Sequence, residues 1–152
     1  MNCRFLFYTL LSLITISLFT TCSDDEHQMV FEKIITSEPT LVENGEIIQF
    51  VDSTVLKLNI EEEKVSGEFD WNTSNTERIS GKLIGTIHDN VINAICSYEQ
   101  GGSLIREEKV IKLGKNFAHF RIGGKMKLQD GVYLYSSNDE NVEYGAKIPR
   151  KF

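Results

Sequence analysis

The sequence has few basic residues, few cysteines and few prolines. Lysine and arginine number 16 against 22 aspartates and glutamates, so the chain of 152 residues has a net charge of −6 with its histidines neutral. An acidic protein repels phosphate backbones, and no basic stripe interrupts this balance. We therefore exclude nucleic acid as a partner.

The sequence also lacks the motifs of known catalytic and metal sites. His27, His88 and His119 are far apart, and no cysteine or carboxylate stands at ligand spacing from them. A Gly-x-Ser-x-Gly elbow, a phosphate-binding loop and a dinucleotide fingerprint are absent. Glu68 and Asp70 alternate with apolar residues and should face solvent, whereas catalytic acids are usually buried. We expect no enzymatic activity, no catalytic residue, no metal and no cofactor.

The N-terminus carries an apolar segment that is too short to cross a membrane. It runs from Phe5 to Phe19, contains several serines and threonines, and follows a single positive charge at Arg4. A spanning helix needs about 18 to 20 apolar residues, so the segment is typical of a secretory signal peptide. It ends in Phe19-Thr20-Thr21-Cys22, which resembles the lipobox of bacterial lipoproteins. The resemblance implies a lipoprotein signal peptide at 1–21 and a diacylglyceryl group on Cys22.

A short acidic run follows the predicted lipidation site. Its residues are Ser23, Asp24, Asp25 and Glu26. The run is similar to the export signal of Bacteroidota surface lipoproteins, which implies lipid anchoring in the outer membrane and display on the cell surface. Alternatively, it only begins a solvated tether. We assign residues 22–30 to the lipidated cysteine and tether, and residues 31–152 to the folded domain.

Cys96 is the one cysteine left for the folded domain, because Cys3 lies in the signal peptide and Cys22 is predicted to carry lipid. An intramolecular disulfide is then excluded. A single thiol in an exported protein can be reactive. However, Cys96 shares a face with Ile92 and Tyr98, and free cysteine is among the most buried residue types. We expect a buried, small hydrophobic residue.

The folded domain reads as a succession of β-strands. Apolar and polar residues alternate without exception from Val65 to Asn72, and the run from Arg78 to His88 has the same period. Glycines on the apolar face of the second run would let the sheet coil tightly. Turn signals recur about every 8 to 12 residues, as in antiparallel sandwiches and barrels. We predict an all-β fold, a single antiparallel meander barrel of about eight strands.

Two segments leave alternatives open. Met29 to Ile35 suits either a short first strand or a turn of helix. Asp52 and Ser53 interrupt a strand-like stretch, which indicates a bulge or two shorter strands. The sequence Asp52-Ser53-Thr54 also matches the pattern of O-glycosylation in Bacteroidota, so Ser53 is a candidate modification site, although the pair Asp-Ser can equally form a simple turn.

Three runs carry a resemblance to a known group of proteins. They are Val65-Ser66-Gly67-Glu68-Phe69-Asp70-Trp71-Asn72, Gly81-Lys82-Leu83-Ile84-Gly85-Thr86-Ile87, and Tyr98-Glu99-Gln100-Gly101 with Glu107-Glu108 after it. Together they resemble the G-E-L-x-W, G-x-L-x-G and Y-x-x-E-G progression of a group of small Bacteroidota lipoproteins. The resemblance implies a lipocalin-like β-barrel and an envelope address. It implies no activity and no catalytic residue.

Five aromatic residues are candidates for the barrel interior: Phe69, Trp71, Tyr98, Phe117 and Phe120. They are expected either to line a ligand site or simply to fill the core, since a barrel of eight strands leaves little room. The leading hypothesis is a non-enzymatic surface lipoprotein that binds a small apolar ligand inside the barrel, or a protein or glycan at its loops. The alternatives are an envelope inhibitor or immunity-type lipoprotein and an accessory subunit of a surface complex.

The anchor hypothesis makes a direct prediction. Replacing Cys22 by serine removes the thiol that would carry lipid, so Cys22→Ser should leave the protein soluble or unprocessed, while the wild type fractionates with membranes through its acyl chains. Fractionation of expressing cells with immunoblotting measures this. A Cys22→Ser protein that still fractionates with membranes would contradict the anchor.

Overall fold

Every regular element of the structure is a β-strand. The computed structural model describes residues 28–136 and 142–152. The strands, in chain order, are β1 (Met29–Thr36), β2 (Thr40–Leu41), β3 (Ile47–Ile48), β4 (Val51–Glu61), β5 (Lys64–Asn72), β6 (Ile79–His88), β7 (Val91–Gln100), β8 (Ser103–Leu113), β9 (Phe117–Ile122), β10 (Met126–Gln129), β11 (Val132–Tyr135), β12 (Glu143–Tyr144) and β13 (Ile148–Lys151). The prediction of an all-β fold is confirmed.

Eight of these strands close into an antiparallel barrel. β1, β4, β5, β6, β7, β8 and β9 pair in that order, and β13 pairs with both β9 and β1 to complete the ring. In β13, Lys151 is the register partner of Val30 on β1, and Ile148 is the register partner of Ala118 on β9. Closure gives each of the eight strands a neighbour on both sides. The predicted single antiparallel meander barrel is confirmed, and its relation to lipocalins stays a prediction.

Two insertions project from the ring. β2 and β3 form a hairpin between β1 and β4, and Gly45 in its Asn-Gly turn has φ +84°, as this turn requires. β10, β11 and β12 lie between β9 and β13. β11 makes a parallel pairing with β8 through Tyr133↔Glu107, and β12 pairs with the end of β9 through Tyr144↔Arg121. The second insertion therefore lies against the β8–β9 side of the barrel.

The inward face of the barrel is the apolar face that the alternation predicts. On β6, Ile79 and Leu83 are buried, whereas Ile84, the one apolar residue out of phase, is 71% exposed. The core cluster draws on all eight strands of the ring and consists of Phe31, Leu56, Leu58, Val65, Phe69, Ile79, Leu83, Ile92, Ala94, Cys96, Tyr98, Ile111, Ala118 and Ile148. The buried apolar area of this cluster supplies the main driving force for folding.

Two inward-facing glycines allow neighbouring strands to approach closely. A Cβ atom at Gly67 would overlap the carbonyl oxygen of Lys57 on β4, and one at Gly85 would overlap the carbonyl oxygen of Asn93 on β7. Both oxygens belong to backbone and cannot move aside without disturbing the ladder. Gly85 thus has the role that the sequence predicts for the glycines of the run from Arg78 to His88, which is to let the sheet coil tightly, and Gly67 has the same role on β5.

The two ambiguous segments are both strands. β1 begins at Met29, so the folded part of the chain starts before residue 31 and inside the range assigned to the tether. Asp52 and Ser53 form neither a bulge nor a break, because Ser53 keeps its register with Ile34 on one side and Asn72 on the other. The stretch does divide into two strands, β3 and β4, but the break lies at residues 49–50.

Gly85 provides a test of the close approach. Gly85→Ala should lower the free energy of unfolding by about 1 to 3 kcal/mol, since a methyl group is forced against the β7 backbone. Thr86→Ala, at the exposed next position of the same strand, should change it by no more than about 0.5 kcal/mol. Urea unfolding followed by circular dichroism measures both. Equal stabilities of the two variants would show that β6 and β7 are farther apart here than the structure has them.

Candidate functional site

One end of the barrel interior is hollow. The cavity has a volume of about 570 Å³ and opens at the end of the barrel where β5 ends and β6 begins. Lys33, Thr54, Trp71 and Ile79 are successive register partners across β1, β4, β5 and β6, and all four line it. The mouth is therefore built on regular strands, which hold side chains more firmly than loops do.

The opposite end of the barrel is filled by side chains. Leu58, Leu83, Ile92 and Ile111 are all fully buried there. The strands of a closed barrel are tilted, so residues at one height do not all belong to one row of register partners. These four side chains together form the floor of the cavity. Phe69 belongs both to the core cluster and to the cavity lining, so the cavity is continuous with the hydrophobic core.

Four of the five candidate aromatic residues line the cavity. The rings of Phe69 and Phe120 lie 4.9 Å apart between centroids at an angle of 56°, Tyr98 is buried, and Trp71 is 39% exposed at the mouth. Tilted ring pairs of this kind are favourable. These aromatic side chains give the cavity an apolar wall.

The fifth aromatic residue, Phe117, does not line the cavity. It directly precedes Ala118, which is fully buried, so it lies on the outer face of β9. There its ring centroid lies 4.8 Å from that of His119 and 4.6 Å from the Nζ atom of Lys147. Phe117 and Phe120 are residues of the same type. Because they are three positions apart, they lie on opposite faces of a strand.

A polar cluster lies on the β8 wall of the cavity. Lys109 Nζ is 2.7 Å from Glu107 Oε1, and 5.6 Å from the centroid of Phe69. The Tyr98 hydroxyl is hydrogen-bonded to the Glu107 carboxylate. Burial is the largest cause that raises the pKa of Tyr98, and the negative charge and hydrogen bond of Glu107 raise it further. The phenol therefore stays protonated and donates to the carboxylate. Glu107 is thus engaged by two partners.

The alternation along β8 could have revealed the inward position of this cluster. Glu107 and Lys109 are in phase with Ile105, Ile111 and Leu113, which all belong to or pack against the core. Sequence reasoning missed them because Val110 is apolar as well but belongs to the other face, where it is also buried. The apolar residues of β8 therefore show no single period.

Cys96 lies beside the polar cluster and is fully buried. It is the register partner of Glu107. Burial is the main cause that raises the pKa of its thiol from 9.0 to about 11; the charge of Lys109 opposes this and that of Glu107 adds to it. A protonated, inaccessible thiol is a poor nucleophile. The prediction of a buried, small hydrophobic residue is confirmed.

Cations outnumber carboxylates in the lining. Among its described residues, the lining has three cations, Lys33, Lys109 and Arg121, and one carboxylate, Glu107. The guanidinium carbon of Arg121 lies 4.0 Å from the ring centroid of Tyr135, a cation–π distance. The cavity therefore carries a positive balance within a chain whose net charge is −6.

Other charged and modifiable candidates lie outside the cavity. Ser53 is half-buried on β4, on the face opposite Thr54. Glu68 pairs with Lys57 at 3.0 Å, and Asp70 pairs with Arg78 at 2.7 Å, on the outer surface. Within residues 28–136 and 142–152, no group of three or more His, Cys, Asp and Glu side chains could hold a metal ion. The lipidation and export residues Cys22, Ser23, Asp24, Asp25 and Glu26 lie outside the described residues.

Comparisons with protein-family models, with curated proteins and with solved structures find no match for this chain. In the described part of the chain, no helix is long and apolar enough to cross a membrane.

The buried thiol predicts a pH dependence of stability. Because the pKa of Cys96 is about 11 in the folded protein and 9.0 as the ordinary value, its contribution is fully present below pH 9 and is lost as the pH rises toward 11. Between pH 8 and pH 10.5, the wild type should lose about 2 kcal/mol more unfolding free energy than Cys96→Ala. Urea unfolding at the two pH values measures the loss. An identical loss in both proteins would contradict the burial of a protonated thiol.

Proposed function

We propose that the protein is a non-enzymatic, lipid-anchored lipoprotein of the outer membrane, displayed on the cell surface, whose barrel binds a small apolar ligand. The observation that carries the ligand-binding part of the proposal is the cavity of about 570 Å³ inside the barrel. The anchor rests on the resemblance of the sequence around Cys22 to a lipobox. Ligand sites are typically concave, mostly apolar and about 300 to 1,000 Å³ in volume. The cavity falls within this range and has the aromatic wall formed by Phe69, Trp71 and Phe120.

The rim of the cavity suits the capture of an apolar molecule. Ile35 and Trp71 line the mouth and are both substantially exposed to solvent. Exposed apolar patches on soluble domains commonly mark binding sites. An apolar ligand can therefore contact the rim before it reaches the cavity floor.

Binding is a better account of the interior than acid–base catalysis. Glu107 is the one carboxylate among the described residues of the lining, and it is already paired with Lys109 and hydrogen-bonded to Tyr98. A general acid or base must be free to exchange a proton with a substrate. This arrangement supports a structural role for the polar wall and a binding role for the cavity.

The position of the proposed anchor is compatible with ligand access. β1 begins at Met29, at the packed end of the barrel, since Met29 pairs with the fully buried Leu58. Cys22 precedes Met29 by seven residues, which span at most about 25 Å when extended. A lipid on Cys22 would hold the packed end toward the membrane and leave the mouth on the far side.

The neutral fluorophore N-phenyl-1-naphthylamine tests the proposal. Its emission rises in apolar surroundings, and we expect one molecule to bind per barrel of residues 23–152. Thr54→Phe places a ring in the mouth and should weaken binding at least tenfold, which is about 1.4 kcal/mol. Ser80→Phe adds the same ring on the exposed outer face of β6 and should leave binding unchanged.

Isothermal titration calorimetry gives the stoichiometry and the affinity of each variant independently of fluorescence. The proposal predicts saturable binding that Thr54→Phe alone reduces. Absence of saturable binding, or equal weakening by Thr54→Phe and Ser80→Phe, would mean that the cavity does not take an apolar ligand.

A further inference from the structure

We propose that the cavity selects amphiphiles with an anionic head group, such as a carboxylate, and that Lys33 is the residue that recognises the head group. This inference rests on the proposed function, because it names the chemical class of ligand for the same cavity. The apolar wall alone does not determine the charge of the ligand.

The first argument is the charge state of each ionisable group in the lining. Lys109 is neutralised by Glu107 at 2.7 Å, and Glu107 also accepts a hydrogen bond from Tyr98. Neither group of this pair is available to a ligand without breaking an existing contact. Arg121 is engaged as well, with its guanidinium carbon 4.0 Å from the ring centroid of Tyr135. Lys33 differs, since no described carboxylate lies within salt-bridge distance of its Nζ atom.

The second argument is the burial of Lys33. The residue is half-buried and lines the cavity on β1, whereas the neighbouring Glu32 pairs with Lys151 at 2.7 Å on the outer face. A half-buried lysine packs its aliphatic stem against the apolar wall and keeps its ammonium group at the wet end of the site, where a partner of opposite charge can reach it. An anion at the mouth of the cavity would provide that partner.

The third argument is the distance between Lys33 and the apolar wall. Lys33 and Trp71 belong to the same register row, with Thr54 on the strand between them. Two strand spacings are about 10 Å, which matches the length of a medium alkyl chain with a head group at one end. A single ligand can thus contact Lys33 with its head and Trp71, Phe69 and Phe120 with its chain.

The test uses residues 23–152, which contain all thirteen strands and the whole core. Three ligands with equal alkyl chains, decanoate, decanol and decylamine, displace bound N-phenyl-1-naphthylamine from this protein. At pH 8 we expect decanoate to bind about tenfold more tightly than decanol, and decylamine to bind most weakly, because a partly desolvated charge pair is worth roughly a factor of ten or more. Lys33→Met should bring decanoate to the affinity of decanol and leave decanol unchanged. Lys33→Arg should keep the preference, and Lys33→Glu should transfer it to decylamine.

Lys82→Met is the matched control, because Lys82 is exposed on the outer face of β6, and it should keep the wild-type preference. Binding of the fluorophore with equal affinities for decanoate and decanol would overturn this inference and leave the proposed function standing. A decanoate preference that survives in Lys33→Met would overturn the role of Lys33. Absence of fluorophore binding would overturn the proposed function and this inference together.

Discussion

The pairing of β13 with both β1 and β9 is the constraint on which the structure depends. This strand has only four residues, Ile148–Lys151, yet it joins the first strand of the meander to the last. Without it, β1 would present an unpaired edge, and β9 would be paired on that side only at its end, by β12. Unpaired edges promote aggregation. Ile148 is also buried in the core cluster, so the same strand closes the backbone ladder and completes the packing.

Closure creates a difference between the two ends of the barrel. The inward residues at one end of the tilted strands pack together as a floor. The inward residues at the other end surround a hollow mouth. The β8 wall of the cavity contains an ion pair, Glu107 with Lys109. Because these two groups neutralise each other, the proposed recognition of an anionic head group depends on Lys33, which has no carboxylate partner among the described residues.

Most of the fold could be predicted from the sequence, because period-two alternation on β5 and β6 identifies the inward face and glycines such as Gly85 indicate tight coiling. The site could be predicted only in part. Phe69 and Trp71 follow from alternation, whereas Lys33, Glu107 and Lys109 are charged and are ordinarily assigned to solvent. Their inward phase is present in the strands, since Glu107 and Lys109 alternate with Ile111, but the buried Val110 on the other face of β8 obscures it. Which of these residues meet around one cavity depends on register and closure, which join residues far apart in the chain.

The central claim is that the closed barrel has one hollow end that holds a ligand. The most direct measurement is a two-dimensional ¹H–¹⁵N spectrum of residues 23–152 during titration with N-phenyl-1-naphthylamine. The account predicts that the indole N–H of Trp71 and the backbone amides of Lys33 and Thr54 shift, while those of Leu58 and Ile92 at the packed end do not. Shifts confined to outward residues such as Ser80 and Lys82, with Trp71 unchanged, would contradict it.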